Sequence, residues 1–274
     1  MAKVWLITGA SRGFGAEIAK AVLASGDALI ATARNLGGLA RLGSHDELLT
    51  VAVDVTSEPQ VRAAVEAALH RFGRIDVVVN NAGYGLLGAV EESSGEEVEA
   101  IYRTNVFGVL NVIRAVLPGM RERRAGHIVN FSSLGGYHAS PGWGIYCSTK
   151  FAVEGLSEAL HAEVAPLGIH VTVVEPGYFR TDFLDGSSLG KTERDITDYA
   201  ATVGRMREMA AARNHLQPGD PVKLAQALIE LVHAPDPPLR LPLGTDALQV
   251  VAEKNAFVEE ETARWRILSA STDF

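Results

Sequence analysis

The 274-residue sequence is poor in cysteine, with Cys147 as its only thiol. One cysteine excludes an internal disulfide and a cysteine-based zinc site. It suits a reducing compartment, so a cytoplasmic location is expected. Positive charge is also scarce. The formal net charge is -8 at pH 7, which argues against a nucleic-acid partner, because that surface needs clustered Lys and Arg. The one basic run, RERRAGH at 121–127, falls at an expected helix end, where cations suit the dipole. No apolar run approaches the ~20 residues of a membrane span. The start, MAKVWLITG, enters a strand-like run at once, so neither a membrane anchor nor a secretory leader is expected. The 8 histidines are scattered without an H-x3-H pair, so no metal site is expected.

Hydrophobic residues make up 47% and charged residues 21%, as in a soluble globular protein with a sizeable core. Apolar β-rich runs at 3–8, 28–33, 48–55, 75–80, 127–133 and 170–176, with a short seventh at 239–244, alternate with helix-period segments. The helices are expected at 15–26, 57–73, 95–123, 141–165 and 220–234. Ser57 and Gln60 have capping-box spacing, Pro118 is expected to interrupt the long helix, and Asp220–Pro221 reads as an N-cap followed by N1. The strands lack polar alternation, the signature of a sheet covered on both faces. The fold class is therefore α/β: a single doubly wound, Rossmann-type domain spanning 1–274, with a mostly parallel sheet of about seven strands. Segment 182–218 breaks the alternation and is expected to form a small, mobile helical lid.

TGASRGFG at 8–15 joins the first strand to the first helix. Glycines there allow a tight turn, and the helix N-terminus offers N–H groups and positive potential to a phosphate. At the end of the second strand a site for NAD usually carries an acid for the ribose 2′-hydroxyl. Here the residues are Ala33 and Arg34, and Arg12 lies in the glycine turn. Two arginines and no acid suit a 2′-phosphate, so NADP(H) is favoured over NAD(H). Tyr146 and Lys150 stand four apart on an expected helix and share a face. An ammonium there is expected to lower the phenol's pKa. Cys147, about 100° around the helix from Tyr146, is expected to pack.

The ordered set of motifs resembles the short-chain dehydrogenases/reductases. It comprises TGASRGFG, Asp54–Val55, NNAG at 80–83, Asn105, Ser133, Tyr146-x3-Lys150 and PGYFRT at 176–181. The segment NAGYGLLGAVEE at 81–92 and the long C-terminal tail are most similar to the branch of carbonyl, retinoid and steroid reductases. The resemblance implies an enzyme that interconverts a ketone or aldehyde and its alcohol by hydride transfer. Tyr146 would be the general acid/base, Ser133 would hold the substrate oxygen, and Lys150 would hold the nicotinamide ribose. Asn105 would hold a water that links Lys150 to solvent. Cofactor contacts are implied for Gly9, Ser11, Arg12, Gly13, Phe14 and Gly15 in the turn. Further contacts are implied for Arg34, Asn35, Asp54, Val55, Asn81, Ala82 and Gly83. Pro176, Gly177, Phe179 and Thr181 would complete the set beside Tyr146 and Lys150. Leu86, Tyr137, Trp143 and Phe183 are candidate substrate contacts, and Leu87, Met206 and Met209 lie in the same bordering segments. The resemblance also implies a homodimer or homotetramer. A cofactor-binding redox sensor and a sugar-nucleotide epimerase or dehydratase are the alternatives on this fold.

Overall fold

The computed structural model describes residues 2–274. Seven strands form one parallel sheet: β1 Val4–Thr8, β2 Ala28–Ala33, β3 Leu48–Ala52, β4 Val77–Asn80, β6 Gly126–Phe131, β7 Ile169–Pro176 and β9 Arg240–Leu243. Their order is β3-β2-β1-β4-β6-β7-β9, and every pairing is parallel. The order reverses between β1 and β4, so the connections leaving their C-terminal ends run to opposite faces of the sheet and a crevice opens there.

Period-two alternation divides each central strand between two cores. In β1, Val4 and Leu6 join the core under α2 (Glu58–Phe72), α4 (Gly108–Arg123) and α5 (Gly144–Val164). Trp5 and Ile7 join the opposite core, under α1 (Gly13–Ala24) and α7 (Pro221–His233). Both faces are apolar because both are covered, which is why the strands show no polar alternation.

Several local expectations are corrected. Ser57 precedes α2 without a side-chain cap bond. Gln60 Oε1 accepts instead from the Asp54 N–H at 2.9 Å, so the turn outcompetes the box. A full capping box forms at Ser94 and Glu97, opening α3 (Gly95–Tyr102). Pro118 does not interrupt α4. It sits on the exposed side, where water can satisfy the carbonyl left without a partner one turn earlier. The irregularity lies upstream, where Arg103–Phe107 winds as one π turn. A 26-residue helix, α8 (Thr245–Ala270), follows β9 where no element was expected. Its apolar and charged residues form no continuous stripe, so its sequence carries little periodic signal.

The lid is more than helical. β5 (Gly85–Leu87) pairs in parallel with β8 (Leu189–Lys191), and a second π turn (Ala200–Gly204) precedes α6 (Arg205–Arg213). Three-residue strands containing glycine are too short to read from periodicity. A second fastening is Glu92, which is fully buried. Its carboxylate accepts from the N–H groups of Ala89 (2.7 Å) and Ile196 (2.8 Å) and from Arg207 Nη2 (2.7 Å). Burial alone would raise its pKa. The two backbone donors and the guanidinium together hold it below the ordinary carboxylate value.

Removing the Glu92 carboxylate leaves the Ala89 and Ile196 N–H groups without an acceptor and leaves Arg207 with Asp195 as its remaining carboxylate partner. Glu92→Ala is therefore expected to cost about 3 kcal/mol of stability and to speed proteolysis within 192–213. Urea melts and timed digests would check this, and an unchanged digest would rule out the latch. Because the folded-state pKa is depressed, Glu92's contribution is present above the ordinary carboxylate range and fades as pH falls through the lowered value.

Candidate active site

The crevice at the strand reversal is a cavity of about 980 Å³. One end is built by the glycine turn. Gly9 and Gly13 have φ of +68° and +54°, the left-handed region that side chains disfavour. A Cβ on Gly15 would lie 2.3 Å from Gly9 O and 2.6 Å from Asn81 Nδ2, so only glycine fits. Helix α1 starts at Gly13, and Arg12 before it makes no side-chain cap bond. The first-turn N–H groups are thus uncapped by that residue and available to an anion.

NNAG braces the turn. Asn81 Nδ2 donates to Thr8 O (2.9 Å) and Gly9 O (3.2 Å), and the Asn81 and Ala82 N–H groups both donate to Thr8 Oγ1 at 3.0 Å. Asn81's side chain thus shapes the cradle. Ser11, Phe14, Arg34, Asn35, Asp54, Val55 and Gly83 also line the cavity, as do Pro176, Gly177, Phe179 and Thr181. Several have local duties as well. Asn35 Oδ1 accepts from Gly37 N at 2.8 Å, and Asp54 Oδ1 accepts from Thr56 N at 2.9 Å. Arg12 Nη2 donates to Ser187 O on the lid at 2.5 Å, while Arg34 is exposed at the cavity edge. No carboxylate ends β2, where Ala33 is buried. The glycine cradle, the uncapped helix start and the cavity size fit a dinucleotide.

The other end is built by α5. Tyr146 and Lys150 are both 7% exposed, and Lys150 Nζ lies 5.8 Å from the Tyr146 ring centre. Lys150 Nζ donates to Phe131 O at 2.8 Å. Burial pushes the ammonium down to about 8, with Glu154 acting in the opposite direction. The expected lowering of the Tyr146 phenol is not what the geometry produces. Burial raises it above its ordinary value, the Ser133 hydroxyl pulls it back, and Cys147 and Tyr178 raise it further. The reason is distance and direction: the ammonium addresses the Phe131 carbonyl. Ser133 Oγ also accepts from Gly135 N at 3.0 Å, so it caps a short turn and faces Tyr146 at once.

Asn105 is buried in the π turn. Its Oδ1 accepts from Tyr84 N (3.1 Å), and its Nδ2 donates to Tyr84 O (2.9 Å) and Thr149 Oγ1 (3.1 Å). Its amide therefore ties the NNAG loop to α5. A Cβ on Gly83 would sit 3.1 Å from Asn105 Oδ1 and 3.8 Å from Lys150 Nζ, which places the asparagine beside the lysine. Cys147 is buried and its thiol is pushed up to about 11 by burial. It stays protonated and unreactive near neutral pH, although it does touch the cavity.

Trp143 and Phe183 line the cavity near the phenol, with ring centres 5.7 Å and 5.5 Å from Tyr146. Two expected substrate contacts do not line it. Leu86 points into the small core made with Leu87 and Leu189. Tyr137 faces away: its hydroxyl donates to Asn255 Oδ1 on α8 at 2.5 Å, and Arg240 lies over its ring. Met206 packs against the same small core, and Met209 is exposed. Residues that motif reading missed, among them Tyr84, Ser140, Tyr178, Leu184 and Gln217, line the cavity. Tyr178 lies inside PGYFRT but is not among the contacts implied for that motif, Tyr84 follows NNAG, Ser140 precedes α5, and Leu184 and Gln217 arrive with segment 182–218.

A doubly wound sheet with an anion cradle at one end of its crevice and a buried Tyr–Lys pair at the other defines a dinucleotide-dependent oxidoreductase site. The family profile described as short chain dehydrogenase matches residues 3–191, and the chain belongs to that family. It is 42% identical to a short-chain dehydrogenase from Streptomyces avermitilis of known structure, with a TM-score of 0.93 and 100% of both chains covered. A 3-ketodihydrosphingosine reductase from Bacteroides thetaiotaomicron is 37% identical, over 97% of this chain and 96% of that protein. A short-chain dehydrogenase/reductase from Burkholderia phymatum, solved in complex with NAD, is 27% identical with a TM-score of 0.84 and 95% of both chains covered.

Gly15→Ala should abolish dinucleotide binding, because its methyl would collide with backbone at Gly9. Titrating nucleotide fluorescence against the variant would check this, with Gly155→Ala, whose Cβ meets nothing within 4 Å and whose φ is not left-handed, as the control for a glycine lost elsewhere. Binding unchanged in Gly15→Ala would overturn the cradle assignment.

Proposed function

We propose that this short-chain dehydrogenase is an NADP(H)-dependent oxidoreductase that interconverts a ketone or aldehyde and its alcohol, with Tyr146 as general acid/base. The observation that carries this reading is the burial of Tyr146 and Lys150 together at the cavity end opposite the glycine cradle, with Ser133 beside the phenol. A bound nicotinamide supplies hydride. The chain's own groups manage the oxygen. Tyr146 gives its phenol proton to the carbonyl oxygen as hydride arrives at carbon, and takes it back from the alcohol in reverse. The Ser133 hydroxyl holds that oxygen in place and stabilises its developing charge. Lys150, with a pKa of about 8, is near its titration range at neutral pH and can replace the tyrosine's proton.

The keto group in the name of the Bacteroides thetaiotaomicron relative points to the same reaction class. The preference for NADP(H) rests on Arg34 lining the cavity at the end of β2, where Ala33 stands in place of an acid, and on Arg12 lining it from the glycine turn. Arg12 would have to serve both the lid and the nucleotide.

Tyr146→Phe should lower kcat about a thousandfold in a variant that still binds nucleotide, with turnover read by absorbance at 340 nm on a carbonyl panel and binding by nucleotide fluorescence. Full activity in that variant would end the proposal. If the Lys150 ammonium is needed, wild-type kcat/KM for reduction should fall as pH rises through about 8, since a lysine is charged only below its pKa. Arg34→Ala should weaken NADP(H) binding by about tenfold or more and leave NAD(H) unchanged. Equal weakening of both would remove the basis for the cofactor preference.

A further inference from the structure

The cavity wall carries a polar group with nothing to bond. Gln217 is 2% exposed and lines the cavity. Neither its Oε1 nor its Nε2 has a hydrogen-bond partner. Among the described residues it is the one buried amide with both its donor and its acceptor unpaired. Such an arrangement is costly and persists where something else is gained.

The side chain is not left unpaired by a slack backbone. Gln217 O accepts from Arg180 Nε at 3.3 Å. Two residues on, Gly219 N donates to Tyr178 O at 3.0 Å, and Arg180 N donates to Gly219 O at 2.9 Å. Gly219 and Phe179 form a parallel bridge. The end of the lid is thereby stitched to the loop after β7, which holds the amide against the cavity. The same loop carries Tyr178, and Tyr178 and Gln217 line the cavity that Tyr146 and Lys150 also line.

A second unpaired group stands on this side. The Trp143 indole N–H is buried without an acceptor, and its ring lies 5.7 Å from Tyr146 and stacks on Phe183. The rings offer apolar surface, while the indole N–H and the Gln217 amide offer hydrogen bonds. An all-hydrocarbon ketone would leave both groups desolvated and unmatched.

We propose that the substrate is a ketone with an apolar body and a hydroxyl, amino or amide group beside the carbonyl, and that Gln217 holds this polar group. This assignment rests on the carbonyl-reductase reading above. An amide that both donates and accepts suits a hydroxyl or primary amine, each of which can also do both. Gln217 is then a specificity-determining residue. It rejects the plain ketone because that analogue leaves the amide unpaired.

The test compares 1-hydroxy-2-octanone, 1-amino-2-octanone and 2-octanone as substrates with NADPH, within a wider carbonyl panel. For wild type, kcat/KM for at least one polar ketone should exceed that for 2-octanone by about tenfold or more. Gln217→Met should bring the ratio close to one with NADPH affinity unchanged. Gln217→Glu, which keeps the acceptor and adds negative charge, should shift preference toward the amino ketone. In the nucleotide-free protein, Gln217→Met should melt no lower than wild type, since it removes an unpaired amide.

A wild type that favours 2-octanone, a Met variant that keeps the polar preference, or a melt lowered by more than ~5 °C would overturn the assignment. So would a Met variant that loses NADPH affinity, because the amide would then serve the nucleotide. Turnover of other carbonyls with none of these polar ketones accepted overturns the Gln217 proposal alone. No turnover of any carbonyl despite NADPH binding overturns the reductase reading with it.

Discussion

The site depends on a clasp between the first and fourth strands. Thr8 ends β1, and its hydroxyl oxygen receives two backbone N–H groups from the loop after β4 while Asn81 reaches back to Thr8 O and Gly9 O. This is where the strand order reverses, so the two loops leaving these strands part toward opposite faces and the tie sets how they face each other. With the tie, Gly9 is placed for Gly15 to pack on its carbonyl, and α1 starts facing the crevice. The same loop continues through Gly83 to Tyr84, whose backbone is held by the Asn105 amide, and Asn105 bonds Thr149 on α5. A short run of hydrogen bonds thus connects the glycine turn to the helix that bears Tyr146 and Lys150.

Desolvation is the second organising force. Burial moves the tyrosine and cysteine up and the lysine down, favouring the neutral form of each. The nearest carboxylate to Lys150 along α5 is Glu154, which burial also raises, against the pull of Ser132 and Arg240. Arg240 on β9 bonds Glu154, Glu175 and Glu158. It therefore joins α5 to β7 and β9 just behind the lysine. One guanidinium serving three carboxylates keeps a charged cluster tolerable in a poorly solvated place, and it helps explain why the helix is held firmly where the chemistry is placed.

Much of this was legible in the residues. Covered strands read as unbroken apolar runs, so β1, β2, β4, β6 and β7 were placed to within about two residues, and with them the doubly wound order. The glycine turn and the Tyr146–Lys150 spacing were legible because backbone sterics and helix geometry act over a few residues. Other features were hidden for identifiable reasons. The π turn at Asn105 has no periodic signature of its own. Pro118 looked disruptive because solvent exposure cannot be seen in a sequence. β5 and β8 are each three residues long and exist only because they pair with one another across about a hundred residues. α8 lacks a stripe because most of it is exposed.

By itself, then, the sequence determined the sheet, the glycine turn and the shared helix face of Tyr146 and Lys150, all of which arise from local sterics and from patterns of burial repeated along the chain. Only the tertiary structure decided the electrostatic balance at Tyr146, the removal of Leu86 and Tyr137 from the cavity, and the arrival of Gln217 on its wall. Those outcomes depend on which distant segments share a boundary with water. Desolvation and hydrogen-bond satisfaction are properties of that shared boundary, and no residue carries them alone.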